Sequence, residues 1–208
     1  MIQFPQATRV HKSIPKKAFY SHLSLTKPVQ NAFVTDIDRI YVEQSLTQKN
    51  LNLNTDSKTR EILVMGITVK KENYDHRVLE AIARNNHHKL LFILDNEGLC
   101  QVALFEQKLY TTAWQDAGDI DIEIQGNSLD EIWENLVEEI ALAEETPGKT
   151  DELSLNERLN RQEQLEKLDK EITKLKEAVW KERQPKRKFE LHEKMQEYRK
   201  KREELIHG

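Results

Sequence analysis

The chain has a single cysteine, Cys100, and only six glycines among its 208 residues. One cysteine excludes an intramolecular disulfide and any metal site built from cysteines alone. Few glycines leave little material for a phosphate-cradling loop. The sequence contains no Walker loop, no Gly-x-Gly-x-x-Gly, no Gly-x-Ser-x-Gly and no zinc-ligand spacing. The apolar context of Cys100, GLCQVALF, favours a buried strand thiol over a reactive one.

Long apolar runs are missing as well. No run reaches the roughly 18 residues that a membrane-spanning helix needs. The first residues, MIQFPQATRVHK, lack the apolar core of a signal peptide. We therefore expect a soluble, cytoplasmic protein.

Charge is abundant and unevenly distributed. Charged residues make up 33% of the chain, against about 25% in an average globular domain. The formal net charge is −4, yet the segment from Lys170 to Arg202 holds 13 Lys/Arg against 6 Asp/Glu. This asymmetry predicts a solvated helical segment near the C-terminus and two surfaces of different sign.

Residues 1–146 show the pattern of an α+β domain with a mixed sheet and flanking helices. REILVMGITVKK predicts a central strand, and the segment HKLLFILDNEGLCQVALFEQ predicts two strands joined by a turn at Asn96–Gly98. Between them, DHRVLEAIARNN predicts a helix with Asp75 as its N-cap. Its buried stripe is predicted to be Val78, Leu79 and Ile82.

Five further elements are predicted in this domain. Pro15 is expected to open a short helix, and apolar residues at helical spacing from Val29 to Tyr41 predict a helix over 28–45. LYTTAW and DIDIEIQG are expected to be short strands, the second because isoleucine alternates with acidic residues. NSLDEIWENLVEEIALAEE predicts a closing helix, with Ser128 and Glu131 as a capping box.

Residues 147–152 read as a linker, and 153–208 as a helical hairpin. Five apolar residues spaced alternately by three and four form a heptad seam, called the seam below. They are Leu165, Leu168, Ile172, Leu175 and Val179. Pro185 predicts a break near Gln184, after which Phe189, Leu191, Met195, Tyr198 and Leu205 form an opposing stripe. An antiparallel hairpin is favoured over a kinked continuous helix, since a lone helix of this kind is marginally stable.

The hairpin carries the candidate binding residues. The seam is predicted to bind a protein partner. A basic run, Arg183, Lys186, Arg187 and Lys188, offers cations that neutralise phosphates, with Trp180 and Phe189 near enough to stack on bases. A solvated coiled-coil surface with intrahelical ion pairs to neighbouring glutamates is the alternative interpretation.

Catalytic signals are weak. A metal-dependent nuclease would place a carboxylate two residues before a strand-end lysine, but Thr68 occupies that position before Lys70. Asp95 and Glu97 fall in the predicted turn. The adjacent pair His87–His88 diverges on any regular element, so we expect it near a helix C-terminus and not around a metal ion. We predict no catalytic residue, no metal and no cofactor.

Several segments resemble the bacterial domain-of-unknown-function family 4391. They are IPKKAFYSHLSL, VTDIDRIYVEQSLTQKNLNL, EILVMGITVKKENYDHRVLEAIARNNHHKLLFILDNEG and WKERQPKRKFELHEKMQEYRKKREEL. The resemblance spans nearly the whole chain. It implies genes beside DNA methyltransferases and helicases of restriction-modification type, and hence a role in defence. Relatives tend to carry Glu-x-Lys where this chain has Thr68-Val69-Lys70, and Ile-Pro where it has His87–His88.

The leading hypothesis is therefore a non-enzymatic accessory subunit of a restriction-modification or anti-phage defence system. Its hairpin would dock onto a helicase or DNA methyltransferase, or onto a second copy of the chain. Two alternatives stay open: a divergent metal-dependent nuclease, and a non-catalytic nucleic-acid-binding protein that uses the basic hairpin.

Overall fold

The computed structural model describes residues 4–143, 145 and 153–207, with His22 lacking a described side chain. The strands are β1 Arg9–Ser13, β2 Ile37–Thr47, β3 Glu61–Val69, β4 Lys89–Asn96, β5 Leu99–Glu106, β6 Lys108–Thr111 and β7 Gln115–Asp116. The helices are α1 Lys16–His22, α2 Lys27–Thr35, α3 Arg77–Arg84, α4 Leu129–Ala141, α5 Leu155–Lys181 and α6 Pro185–His207. The chain divides into two units, Met1–Ala141 and Leu142–Gly208. The predicted linker 147–152 lies outside the described residues.

The strands of the first unit form one mixed sheet. Its order is β1-β2-β3-β4-β5-β6, and β7 pairs with β5. β3 and β4 run parallel because α3 carries the chain back across the sheet, and the other paired strands are antiparallel. This arrangement confirms the predicted mixed sheet with flanking helices.

One face of the sheet packs against α2 and α3. The predicted stripe of α3 is fully buried at Val78 and Leu79 and nearly so at Ile82. These side chains join a core cluster with Phe33 of α2 and with strand residues such as Phe92. Successive side chains of a strand point to opposite faces, so this cluster uses only every second strand residue.

The other face packs against α4, which contacts β3, β5 and β6. The apolar stripe predicted for this helix is buried at every position, namely Leu129, Ile132, Trp133, Leu136, Val137 and Ile140. Ser128 Oγ accepts the backbone N–H of Glu131 at 3.1 Å, as the capping box requires. The carboxylate of Glu131 reaches back to Asn127 N at 2.8 Å, one residue before the cap.

The predicted helix over 28–45 is wrong in its second half. α2 ends at Thr35, and β2 pairs with β3 from Ile37 onward. Ile37 and Ile40 are three apart, which is a helical spacing, and in a regular strand they would face opposite sides. A register shift between Ile37 and Arg39 inserts one extra residue, so both isoleucines join the same core cluster.

The predicted strand DIDIEIQG is also wrong, because residues 117–126 belong to no strand. Ile120 and Ile122 are buried, while Asp121 between them and Glu123 after them are exposed. The alternation of isoleucine with acidic residues therefore indicates which side chains are buried. It does not require hydrogen bonding to a neighbouring strand. The LYTTAW strand is confirmed in its first half, since β6 ends at Thr111. The Asn96–Gly98 turn is confirmed and has positive φ at Glu97 and Gly98.

The second unit contains the helical hairpin. α5 begins at a capping box in which Ser154 N donates to the Glu157 carboxylate at 2.9 Å. The helix ends at Lys181, and residues 182–184 break the helical path before Pro185 begins α6. Proline suits a first helical position because its missing N–H would have no intrahelical partner there. The predicted break is confirmed, and the two helices pack against each other.

Candidate functional site

The seam lies on α5, which packs against α6. Leu165 is completely buried and Leu175 is 9% exposed, while the other three seam residues are half-buried. The opposing stripe of α6 is partly as predicted: Met195 is buried and Leu191, Tyr198 and Leu205 are half-buried. Phe189 is 62% exposed, so its predicted place in this stripe is wrong. It is the fifth residue of α6 and lies near the bend.

Polar contacts fix the antiparallel register of the two arms. Arg161, buried on α5, donates from Nε to the backbone carbonyl of Leu205 on α6 at 3.0 Å. Arg202 Nε donates to Asp169 Oδ1 at 2.6 Å. Arg202 thus holds the two arms of the hairpin together. Lys201 lies 5.5 Å from the ring of Tyr198.

Glu182 shapes the bend between the arms. Its Oε1 accepts the backbone N–H of Gln184 at 2.9 Å and that of Arg183 at 2.8 Å. The hydrogen bond from Gln184 is the main reason that the pKa of Glu182 is lowered, and the charge of Arg187 adds to it. The carboxylate therefore compensates backbone donors that the helix break leaves without an intrahelical acceptor.

The bend displays a surface that we call the hairpin tip. It consists of six exposed side chains, those of Trp180, Arg183, Lys186, Arg187, Lys188 and Phe189. Trp180 is 86% exposed, an unusual position for the largest apolar side chain. Basic and aromatic side chains that are distinct in sequence from the seam thus lie together at one end of the hairpin.

Intrahelical ion pairs account for only part of this charge. Glu177 pairs with Lys181 at 3.4 Å. Among the described side chains, those of Arg183, Lys186 and Lys188 form no ion pair with an acidic partner. These three cations are solvent-exposed, and the intrahelical ion pairs of the alternative interpretation are not formed by them within the described residues.

A buried carboxylate, that of Asp36, lies at the C-terminal end of β3, where a nuclease would place its carboxylate and lysine. Asp36, 4% exposed at its side chain, accepts Lys71 Nζ at 2.8 Å, the Thr35 hydroxyl at 2.7 Å and the backbone N–H of Asp75 at 2.9 Å. Burial by itself would raise its pKa, but these three donors together lower it. Lys70 Nζ donates to the carbonyl of Val34 at 2.8 Å, so both lysines fasten the end of β3 to the end of α2.

Among the described residues, the acidic groups near this strand end do not form a metal site. Thr68 lies in register with Asp95 across the parallel pair β3 and β4, and Glu97 is in the turn as predicted. Within residues 4–143, 145 and 153–207, no group of three or more His, Cys, Asp or Glu side chains is arranged to hold a metal ion. The helix-end role expected for His87–His88 is wrong, since α3 ends at Arg84 and His88 Nδ1 instead contacts Glu61 at 3.3 Å.

Cys100 is a buried strand thiol, as its sequence context predicts. It is 6% exposed within β5. Burial is the main reason that its pKa rises to about 11, and the nearby charge of Asp95 raises it further. A thiol with this pKa is almost entirely protonated at neutral pH and is a poor nucleophile.

The sequence matches a family model described as "Domain of unknown function (DUF4391)" over residues 2–201. The chain belongs to this family. The DUF4391 match includes the sheet domain, the predicted linker and most of the hairpin, so the hairpin is part of what defines the family. No curated protein and no solved structure matches the chain. In the described part of this DUF4391 chain, no helix is both long and apolar enough to cross a membrane.

Proposed function

We propose that the protein is a non-enzymatic accessory subunit of a bacterial restriction-modification or anti-phage defence system, and that it docks through its C-terminal hairpin. The family resemblance supports the defence setting. The observation that carries the docking role is the hairpin tip, where Trp180 stands 86% exposed beside arginine and lysine side chains.

A protein partner suits this surface. Tryptophan and arginine are enriched among the residues that contribute most to protein interfaces. A buried tryptophan removes about 150–250 Å² of surface from water, so Trp180 has much to gain from a pocket on a partner. The cations of Arg183, Lys186 and Lys188 favour a partner with an acidic rim. A helicase or DNA methyltransferase subunit is the partner class that we propose.

The seam also contributes to the proposed docking role. Its buried members, Leu165 and Leu175, hold α5 against α6 and so present the hairpin tip in a fixed shape. Leu168, Ile172 and Val179 are half-buried and retain surface for a partner or for a second copy of the chain. Direct partner binding by the seam stays a prediction, and for Leu165 it would require the hairpin to open.

Nucleic acid is a second candidate ligand for the hairpin tip. The specific observation is that two exposed rings, Trp180 and Phe189, flank cations without acidic partners among the described residues. Stacking of bases on aromatic rings contributes about 1–3 kcal/mol per base, and lysine and arginine neutralise the phosphates between them. This candidate predicts an affinity that falls steeply with salt.

The test is partner capture with a point variant of the full-length protein. Trp180→Ala is expected to weaken capture of a helicase or methyltransferase subunit at least tenfold, since an exposed anchor is removed. Its stability should change by less than about 0.5 kcal/mol, as for other surface substitutions. Val34→Ala is the matched control, because Val34 is an exposed apolar residue of α2. It should leave capture unchanged.

Three results would contradict the proposal or redirect it. Undiminished capture by the Trp180→Ala protein would exclude the hairpin tip as the docking surface. Binding of oligonucleotides that disappears in the same variant would favour the second candidate. Metal-dependent DNA cleavage that disappears in Lys70→Ala would favour the nuclease alternative.

A further inference from the structure

A large cleft opens at the end of the sheet where β3 and β4 begin and β5 ends. Its volume is about 1170 Å³. Three segments line it: 58–61 leading into β3, 83–90 between α3 and β4, and 105–107 at the turn after β5. The cleft lies wholly within the first unit, and it shares no residue with the hairpin tip.

Basic side chains dominate the lining, so we call this site the basic cleft. Lys58, Arg60, Arg84 and Lys89 line it together with two histidines, His87 and His88. Its acidic lining residues are Glu61 and Glu106. The lining therefore carries a positive surplus even with both histidines neutral. The first 141 residues as a whole hold 15 Lys/Arg against 20 Asp/Glu, so the cleft is opposite in sign to its unit.

Both carboxylates of the cleft already have partners. Glu106 Oε2 accepts Lys89 Nζ at 2.5 Å and the Trp133 indole N–H at 2.7 Å. Glu61 accepts the Ser45 hydroxyl and contacts His88 Nδ1 at 3.3 Å. Neither carboxylate is therefore available to neutralise the other cations of the lining.

The remaining cations face the open cleft. Arg84 lies with its guanidinium carbon 5.0 Å from the centre of the Phe105 ring, which supports the group as a flat, oriented donor. Its contact with Glu80 is long, at 3.7 Å, and its side chain is 60% exposed. Arg60 is exposed and forms no ion pair with a described residue. Lys58 is exposed too, and its charge acts on Asp130 outside the cleft.

Arg60 also extends the basic surface. It lines a second, smaller cleft of about 470 Å³ that contains Lys49 and the polar side chains of Thr47 and Asn52. The two clefts share this arginine, so the cationic track continues past the first opening. A concave surface of one sign concentrates the electric field and attracts ligands of the opposite sign.

We propose that the basic cleft binds phosphate groups, with Arg60 and Arg84 as the principal donors. The planar guanidinium of arginine matches two phosphate oxygens at once, which a lysine does not do. Two sources supply this chemistry: the backbone of a nucleic acid, and a small phosphorylated ligand such as a nucleotide or pyrophosphate. This assignment concerns a different unit from the docking role and does not rest on it.

The experiment uses the full-length protein with two probes. A fluorescein-labelled 20-nucleotide DNA, single- and double-stranded, is titrated by fluorescence anisotropy, and pyrophosphate by calorimetry. The triple variant Lys58→Ala, Arg60→Ala and Arg84→Ala is expected to weaken binding of the active probe at least tenfold. With DNA as the active probe, the slope of log affinity against log salt should fall by about one for each phosphate that no longer meets a cation.

The matched control removes three exposed lysines elsewhere in the same unit. Lys12, Lys17 and Lys27 line neither cleft, and their replacement by alanine changes the net charge by the same amount. This control should bind within about twofold of the wild-type protein. Circular dichroism checks folding of both triple variants. If the cleft variant is unfolded, the single substitution Arg60→Gln replaces it, with an expected loss of at least threefold.

Each outcome decides the matter. Binding of DNA, or of pyrophosphate alone, that disappears in the cleft variant supports the inference and identifies the source of the phosphate. Absence of binding by the wild-type protein to either probe overturns it, and so does equal weakening in the cleft variant and the control. DNA binding abolished only on replacing Lys186, Arg187 and Lys188 with alanine also overturns it, and it leaves the hairpin tip as the nucleic-acid surface.

Discussion

At the scale of single residues, Asp36 has a demanding environment for a carboxylate. It is buried where α2 gives way to β2, and it joins the backbone of Asp75 to the side chains of Lys71 and Thr35. A buried carboxylate is tolerated only when donors compensate for the hydration that burial removes. The three donors do so, and they tie the loop after β3 to the end of α2.

We expect Asp36→Asn to lower the free energy of unfolding by about 1–3 kcal/mol at pH 7, because a charged acceptor of three hydrogen bonds is replaced by a neutral amide. The folded-state pKa of Asp36 lies below the unfolded value of 3.8. Its stabilisation is therefore complete well above pH 3.8 and is lost as the pH falls through the folded-state pKa. The difference between variant and wild type should shrink accordingly in urea denaturation at pH 7, 4 and 3.

Asp38→Asn is the control for this prediction. The Asp38 carboxylate is 48% exposed and contacts Arg39 at 3.4 Å, so its removal should change stability by less than about 0.5 kcal/mol. Equal effects of the two substitutions would show that burial and hydrogen bonding at Asp36 do not matter.

At the scale of elements, the entry to α4 depends on a backbone conformation that favours glycine. Gly126 has φ +149°, and a Cβ at this position would lie 2.8 Å from Ile132 N and 2.9 Å from Ile132 Cγ1. Ile132 belongs to the first turn of α4 and is buried against the sheet. The helix can therefore dock as it does only if residue 126 has no side chain.

Gly126→Ala is expected to cost about 1–3 kcal/mol of stability, because both the strained φ and the contact with backbone must be relieved. Gly118→Ala is the matched control: a Cβ there meets nothing within 4 Å, and its φ is not positive. That substitution should be neutral or stabilise by up to about 1 kcal/mol through the unfolded state. Thermal unfolding of the two variants checks the difference, and equal midpoints would contradict the steric argument.

At the scale of the whole molecule, net charge is a poor guide to what the protein binds. The chain carries −4 overall, with a calculated pI of about 6.0, yet cations are concentrated at the hairpin tip and in the basic cleft. Interactions between exposed charges are screened beyond about 10 Å at 0.1 M salt. A polyanion therefore responds to these local groups more than to the acidic surface elsewhere.

We expect the protein to be retained on heparin resin at about pH 7.5 and low salt, although this pH is above its pI, because clustered cations bind a polyanion locally. Replacing Lys186, Arg187 and Lys188 with alanine should lower the eluting salt concentration more than replacing Lys12, Lys17 and Lys27, since only the first set is clustered. Both sets remove three positive charges. Identical elution of the two variants would show that only net charge matters.

Local patterns in the sequence determined much of this architecture. The stripes of α3 and α4, the β4–β5 turn, the break before Pro185 and the heptad spacing of the seam all depend on residues close together in the chain. Each pattern has one favourable local structure, so neighbouring residues suffice to specify it. The chemical character of the hairpin tip also follows from the sequence, because its cations and aromatic rings are near neighbours along the chain.

Only the tertiary structure decided the other features of the fold and of the candidate sites, because these features join segments that are distant in sequence. The spacing of Ile37 and Ile40 indicates a helix, but pairing with β3 makes this segment a strand, and a β-bulge lets both side chains join one core cluster. Ile120 and Ile122 are buried without joining a strand, although their alternation with acidic residues indicates one. The partners of Asp36 and the walls of the basic cleft come together only when the sheet forms. Local propensity cannot encode such contacts, since their energy exists only after the chain has folded.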